Sequence, residues 1–140
     1  MKYMLVMCQA QTDLAVDYSP EDMAKMFAVM GAYNEELIQA GVLVAAEGLA
    51  PEVEGTRIEY RGEERDVTDG PYAEANEVFA GYWVLDTATQ DEAVEWAKRA
   101  PLEVGSITVR RIASIDEFDQ SLPSIQRERE WRIAQGEKVG

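Results

Sequence analysis

Two strand–helix–strand units follow one another along this chain, and that order rules out most folds before composition is counted. The first opens with the short apolar run Tyr3 to Cys8, which fits a strand buried on both faces. Ser19-Pro20-Glu21-Asp22 then marks a helix start: a Ser cap, a Pro where a free N–H is lost at no cost, and acids at the positive end of the helix dipole. Met23, Met26, Phe27, Met30, Leu37 and Ile38 recur at three- and four-residue steps, Gly41 closes the helix, and Val42 to Ala46 is the second strand. The second unit is Gly81-Tyr82-Trp83-Val84-Leu85, a capping box at Thr89-Gln90-Asp91-Glu92, a helix carrying Ala93, Val94, Trp96 and Ala97 that ends before Pro101, and an alternating strand from Ser106 to Ile112. Between the units, Arg57 to Tyr60 and Arg65 to Thr68 flank Arg61-Gly62-Glu63-Glu64 as a solvated hairpin.

Strand, helix, strand, hairpin, strand, helix, strand predicts an α+β chain. Its form is the ferredoxin-like βαββαβ arrangement: a four-stranded antiparallel sheet with both helices on one face and an inserted hairpin. Residues 1–113 make that domain and residues 114–140 a C-terminal arm, helical over Ser121 to Gln135, that docks on its own or a partner subunit. The Met-rich stripe on the first helix is expected in the core. Because helices cover one face only, apolar residues on the other need a partner, and either Tyr82 or Trp83 must point that way. A second copy of the chain is the simplest cover, giving a homodimer or a higher homo-oligomer.

The charge narrows function. With 27 Asp+Glu against 13 Lys+Arg the chain carries −14, of which residues 121–140 contribute +1 and the rest −15. Such a domain repels phosphates and anionic lipid, so neither nucleic acid nor membrane is expected as a partner. No run approaches the apolar length of a membrane span, and the opening residues lack the pattern of a signal peptide. A single Cys forbids an internal disulfide, and a cytoplasmic location is expected. The chain contains no histidine, which removes His-dependent triads, Cys-His dyads and imidazole metal ligation.

From Val67 to Asp86 the chain resembles the YCII-related family, in particular its DGPF-type branch. Asp69, Gly70, Pro71, Ala73, Glu74, Glu77, Gly81 and Tyr82 match that family's word, while Tyr72 stands for its Phe, Ala75-Asn76 for Thr-Lys and Ala80 for its first Gly. Lys2-Tyr3-Met4-Leu5, Ala40 to Leu43, Glu47-Gly48-Leu49, Asp91 to Ala97 and Val109-Arg110 extend the likeness in register over residues 2–112. The resemblance implies a dimeric α/β-barrel fold. Members of the wider family look like small-molecule enzymes with a His-Asp pair in a cleft, and one branch is linked to dehalogenating lyase chemistry. The missing histidine departs from that pattern. The DGPF branch implies an accessory role beside a regulatory or stress-linked operon.

Asp69-Gly70-Pro71 is explained by local turn chemistry, since Asp bonds its own backbone, Gly supplies unusual φ and Pro fixes the exit. Three acids within nine positions, Asp69, Glu74 and Glu77, close to Tyr72, go beyond what a turn needs. Crowded carboxylates raise one another's pKa and can supply an acid–base pair, so these three are the candidate catalytic residues. Glu74 and Glu77 also share one helical face, which a solvated surface explains equally. Gly70, Pro71, Tyr72, Tyr82 and the strand-end Glu47 are the candidate ligand contacts. No metal and no cofactor is expected: the acids lack a calcium-loop pattern, and the glycines form no phosphate loop. The expected function is a homodimeric small-molecule-binding domain in an accessory role. The alternative is a carboxylate-based lyase or isomerase acting on a small polar or aromatic substrate.

Overall fold

A computed structural model of the chain describes residues 1–10, 18–70 and 77–139. In chain order its elements are β1 (Lys2–Ala10), α1 (Pro20–Gln39), β2 (Leu43–Gly48), β3 (Thr56–Arg61), β4 (Glu64–Asp69), β5 (Glu77–Asp86), α2 (Gln90–Lys98), β6 (Ser106–Arg111) and α3 (Pro123–Ala134). The caps act as their sequences dictate. The Ser19 hydroxyl accepts from the Asp22 N–H, and the Thr89 hydroxyl from the Glu92 N–H. Gly41 takes φ 73°, the left-handed exit that ends α1.

The main sheet runs β2-β5-β1-β6 with every neighbouring pair antiparallel, which is the ferredoxin-like order. Odd-numbered residues of β1 and of the end of β5 face the helices: Tyr3 lies opposite Leu85, and Leu5 opposite Trp83. These four form one buried cluster with Tyr33 and Leu37 of α1 and Ala93 of α2. Polar groups inside it are satisfied. The Trp83 indole N–H donates to Asn34 Oδ1 at 2.8 Å, Tyr33 meets the Trp83 ring edge-on at 5.7 Å, and the Tyr33 hydroxyl donates to the Trp96 carbonyl at 2.7 Å. Trp83 therefore faces the helices and Tyr82 the open side. Gly81 lets β2 approach closely, since a Cβ there would stand 2.8 Å from the Glu47 carbonyl oxygen.

Two expectations are corrected. Strand β1 is not buried on both sides: Tyr3 and Leu5 are, while Met4, Val6 and Cys8 on the other face are half-buried. The Met-rich stripe is split as well. Leu37 is 0% exposed and Met30 half-buried, but Met23, Met26, Phe27 (69% exposed) and Ile38 face outward. The buried side chains of the helix, Tyr33 and Leu37, both lie in its second half, where they join Tyr3, Leu5, Trp83 and Leu85.

The hairpin β3–β4 is a separate two-stranded sheet whose turn carries Gly62 at φ 62° in the first loop position, as a II′ turn requires. The arm starts with a capping box on Ser114 and buries Ile115. Its helix α3 buries no residue and leaves Trp131 outward. Ion pairs hold it: Arg129 with Asp116, Arg132 with Glu137 at 3.1 Å, and Glu137 with Lys2 of β1 at 3.0 Å.

Candidate functional site

The face of the sheet away from the helices is assembled by register. One row across four strands reads Glu47, Tyr82, Val6 and Thr108, and the next reads Ala45, Val84, Met4 and Arg110. Residues of the two central strands form the floor, with Ala45 and Glu47 of β2 along one rim and Thr108 and Arg110 of β6 along the other. A bulge between β1 and β5 leaves Ala80 unpaired, so Phe79 sits opposite Cys8 and joins Tyr82 on the same face. The two rings lie parallel within 8°, with centroids 6.3 Å apart. That arrangement offers a flat aromatic surface, a hydroxyl from Thr108, a carboxylate from Glu47 and the guanidinium of Arg110. No described carboxylate lies within ion-pair distance of Arg110, whereas Arg57 is paired with Glu59.

The sequence-derived candidates fall differently. Tyr82 and Glu47 are brought together as direct cross-strand neighbours, Tyr82 half-buried and Glu47 exposed. Asp69 ends β4, exposed, and its Oδ1 accepts from the Thr56 hydroxyl at 3.1 Å across the hairpin. Gly70 donates its N–H to the Gly55 carbonyl at 2.8 Å and closes the hairpin base. Glu77 begins β5 opposite Ala10. Its side chain, with Pro71, Tyr72 and Glu74, lies outside the described residues. Sequence reasoning missed Phe79 and Thr108, and it favours Arg110 as a partner for the acidic surface rather than a ligand contact. The alternation of β6 holds the signal for the last two, but Phe79 reaches the face through a bulge that no local pattern announces.

A groove of about 620 Å³ lies elsewhere, between α2 and the edge strand β6, lined by Val94, Ala97, Lys98, Leu102, Ile107 and Val109 among others. It opens on the helix side of the sheet and holds none of the candidate carboxylates. Among the described residues no three His, Cys, Asp or Glu side chains are grouped to hold a metal ion, and no helix is long and apolar enough to cross a membrane.

The fold defines an α+β ferredoxin-like domain with one sheet face turned away from α1 and α2. The YCII-related domain model matches residues 1–116, and the chain belongs to that family. An uncharacterized protein of Rhizobium meliloti (strain 1021) is similar, 28% identical over 111 residues that cover 77% of this chain and 90% of that protein.

Proposed function

We propose that this chain is a homodimeric small-molecule-binding domain of the DGPF type, in an accessory role, whose ligand surface is the Tyr82/Phe79 face of the sheet. One observation carries the dimer. A compact chain of 15.7 kDa exposes about 7,300 Å², whereas this one exposes 10,093 Å². Granting the 14 residues outside the description their full extended-chain area, about 2,200 Å², leaves about 7,900 Å² for the rest, still about 1,200 Å² more than the roughly 6,700 Å² of a compact chain of that remaining length. A stable complex takes about 800 Å² from each partner, so a second copy accounts for the surplus.

The ligand reading rests on chemistry. Parallel aromatic rings beside an apolar floor take a small ring, and the hydroxyl, carboxylate and guanidinium around it orient polar substituents. Asp69 sits exposed at the end of β4, hydrogen-bonded across the hairpin to Thr56, an open position rather than the pocket that the acid–base alternative requires. Sedimentation equilibrium of the full chain should give about 31 kDa, twice 15.7 kDa. Saturation-transfer NMR with phenol and benzoate as probes should show binding that Tyr82→Ala abolishes. A monomer overturns the dimer, and absence of transfer from both probes to the wild-type chain overturns the ligand surface.

A further inference from the structure

A lone two-stranded hairpin is marginal in water, and β3–β4 pairs with no other strand among the described residues. Its two faces differ. One carries Arg57, Glu59, Arg61 and Asp66, joined in ion pairs. The other presents three cross-strand pairs in succession: Thr56/Asp69, Ile58/Val67 and Tyr60/Arg65. Its centre is apolar and open to solvent, with Ile58 47%, Val67 64% and Tyr60 70% exposed. Its ends are oppositely charged, and neither is neutralised by a described residue. Arg65 stacks over the Tyr60 ring at 4.6 Å and donates one Nη1 to the Gly62 and Glu64 carbonyls, while Asp69 accepts from Thr56. No described group of opposite charge lies within ion-pair distance of either, although the arginines on the other face are paired.

This pattern is complementary to itself. We propose that the hairpin is an isologous contact between two copies, stacked face to face about a twofold axis that runs across the strands at the level of Ile58 and Val67. Rotation about that axis reverses strand direction and keeps each strand over its own copy. Val67 then lies over the partner subunit's Val67, and Arg65 over the partner subunit's Asp69, at both ends of the stack. Sheets stack about 10 Å apart, a gap that an Arg and an Asp side chain span together. An axis along the strands would instead crowd like charges at the same end, so the charge pattern selects one geometry. The contact gives the hairpin the second layer it lacks and supplies Asp69 with its cation from the other subunit. It rests on the homodimer reading above.

The test is sedimentation equilibrium of the full chain with Arg65→Glu, Asp69→Arg and the double reversal, with near-ultraviolet circular dichroism confirming the fold of each. Each single reversal should weaken self-association about ten-fold or more, and the double variant should return to within about three-fold of the wild type. Val67→Asp, which strikes the apolar centre, should dissociate the contact without rescue by either charge change. A wild-type dimer that both single reversals leave intact overturns the hairpin contact and leaves the homodimer standing. A double variant no stronger than the singles overturns the Arg65–Asp69 pairing. A monomeric wild type overturns both readings.

Discussion

The sheet–helix core and the hairpin are built from the same alternating chemistry and end in opposite conditions. In the core, Leu5, Leu37 and Leu85 are wholly buried, and the Trp83 and Tyr33 polar atoms have partners at 2.7–2.8 Å. In the hairpin every β4 residue is exposed, and the apolar pair Ile58/Val67 faces water. The first half of α1 and the helix α3 side with the hairpin. Alternation alone therefore marks a face as fit to be covered without saying what covers it. In the core the cover is a helix of the same chain; at the hairpin no described residue of the chain supplies one.

The sharpest way to break that contrast lies within α1, which belongs to both regimes. Leu37→Ala removes a wholly buried side chain and should destabilise the chain by about 2–5 kcal/mol. Phe27→Ala removes a larger side chain from the exposed half and should cost the isolated subunit no more than about 0.5 kcal/mol. Urea unfolding at a concentration low enough to hold the chain monomeric measures both. Equal losses would mean that the outer half of α1 is packed in solution, and the division would fail.

How much of this was legible in the sequence follows the same line. Order, hand of pairing and caps were readable because they are local: Ser19 and Thr89 cap where they stand, and Gly41 and Gly62 take positive φ where the chain must turn. The element order was enough for the sheet order. The Met stripe misled because periodicity reports a helix face, while burial depends on what packs against each turn of that face. Tyr82 and Glu47 were named from the family word and a strand end, and register makes them neighbours. Phe79 was invisible since its face depends on a bulge at Ala80. The environment of Asp69 was not legible, because its hydroxyl partner Thr56 lies 13 residues earlier, across a register.

The second comparison is between titrations, and the core side is the larger. Burial, with a smaller push from Glu36, raises the Tyr33 phenol from 10.0 to about 12, and Arg99 partly offsets the shift. A raised pKa stabilises the fold fully below pH 10, and that contribution is lost as pH climbs toward about 12. Two units correspond to roughly 3 kcal/mol. Tyr33→Phe gives up the hydrogen bond to the Trp96 carbonyl, about 1 kcal/mol at neutral pH, but should flatten the alkaline loss. Denaturant midpoints from pH 8 to 12 decide it: parallel curves for wild type and variant would remove Tyr33 as the cause.

The smallest effect belongs to the arm. Arg111, reaching from β6, holds the Glu117 carboxylate together with the Ser114 N–H, and lowers its pKa from 4.5 to about 2. Here the sign reverses: a lowered carboxylate pKa stabilises above its ordinary value, and the benefit fades as pH falls toward about 2. The group is exposed and screened by salt, so Glu117→Gln should leave the global unfolding midpoint where it is and loosen only the turn that starts the arm. The Glu117 side-chain carbon resonance should accordingly show no inflection near 4.5, and its shift should begin only well below that pH. An inflection at the ordinary value would mean that the Arg111 contact does not persist in solution. The arm would then be tied to the domain through Lys2 and Glu137 and through the buried Ile115, so truncation at Ile115 rather than loss of charge would release it.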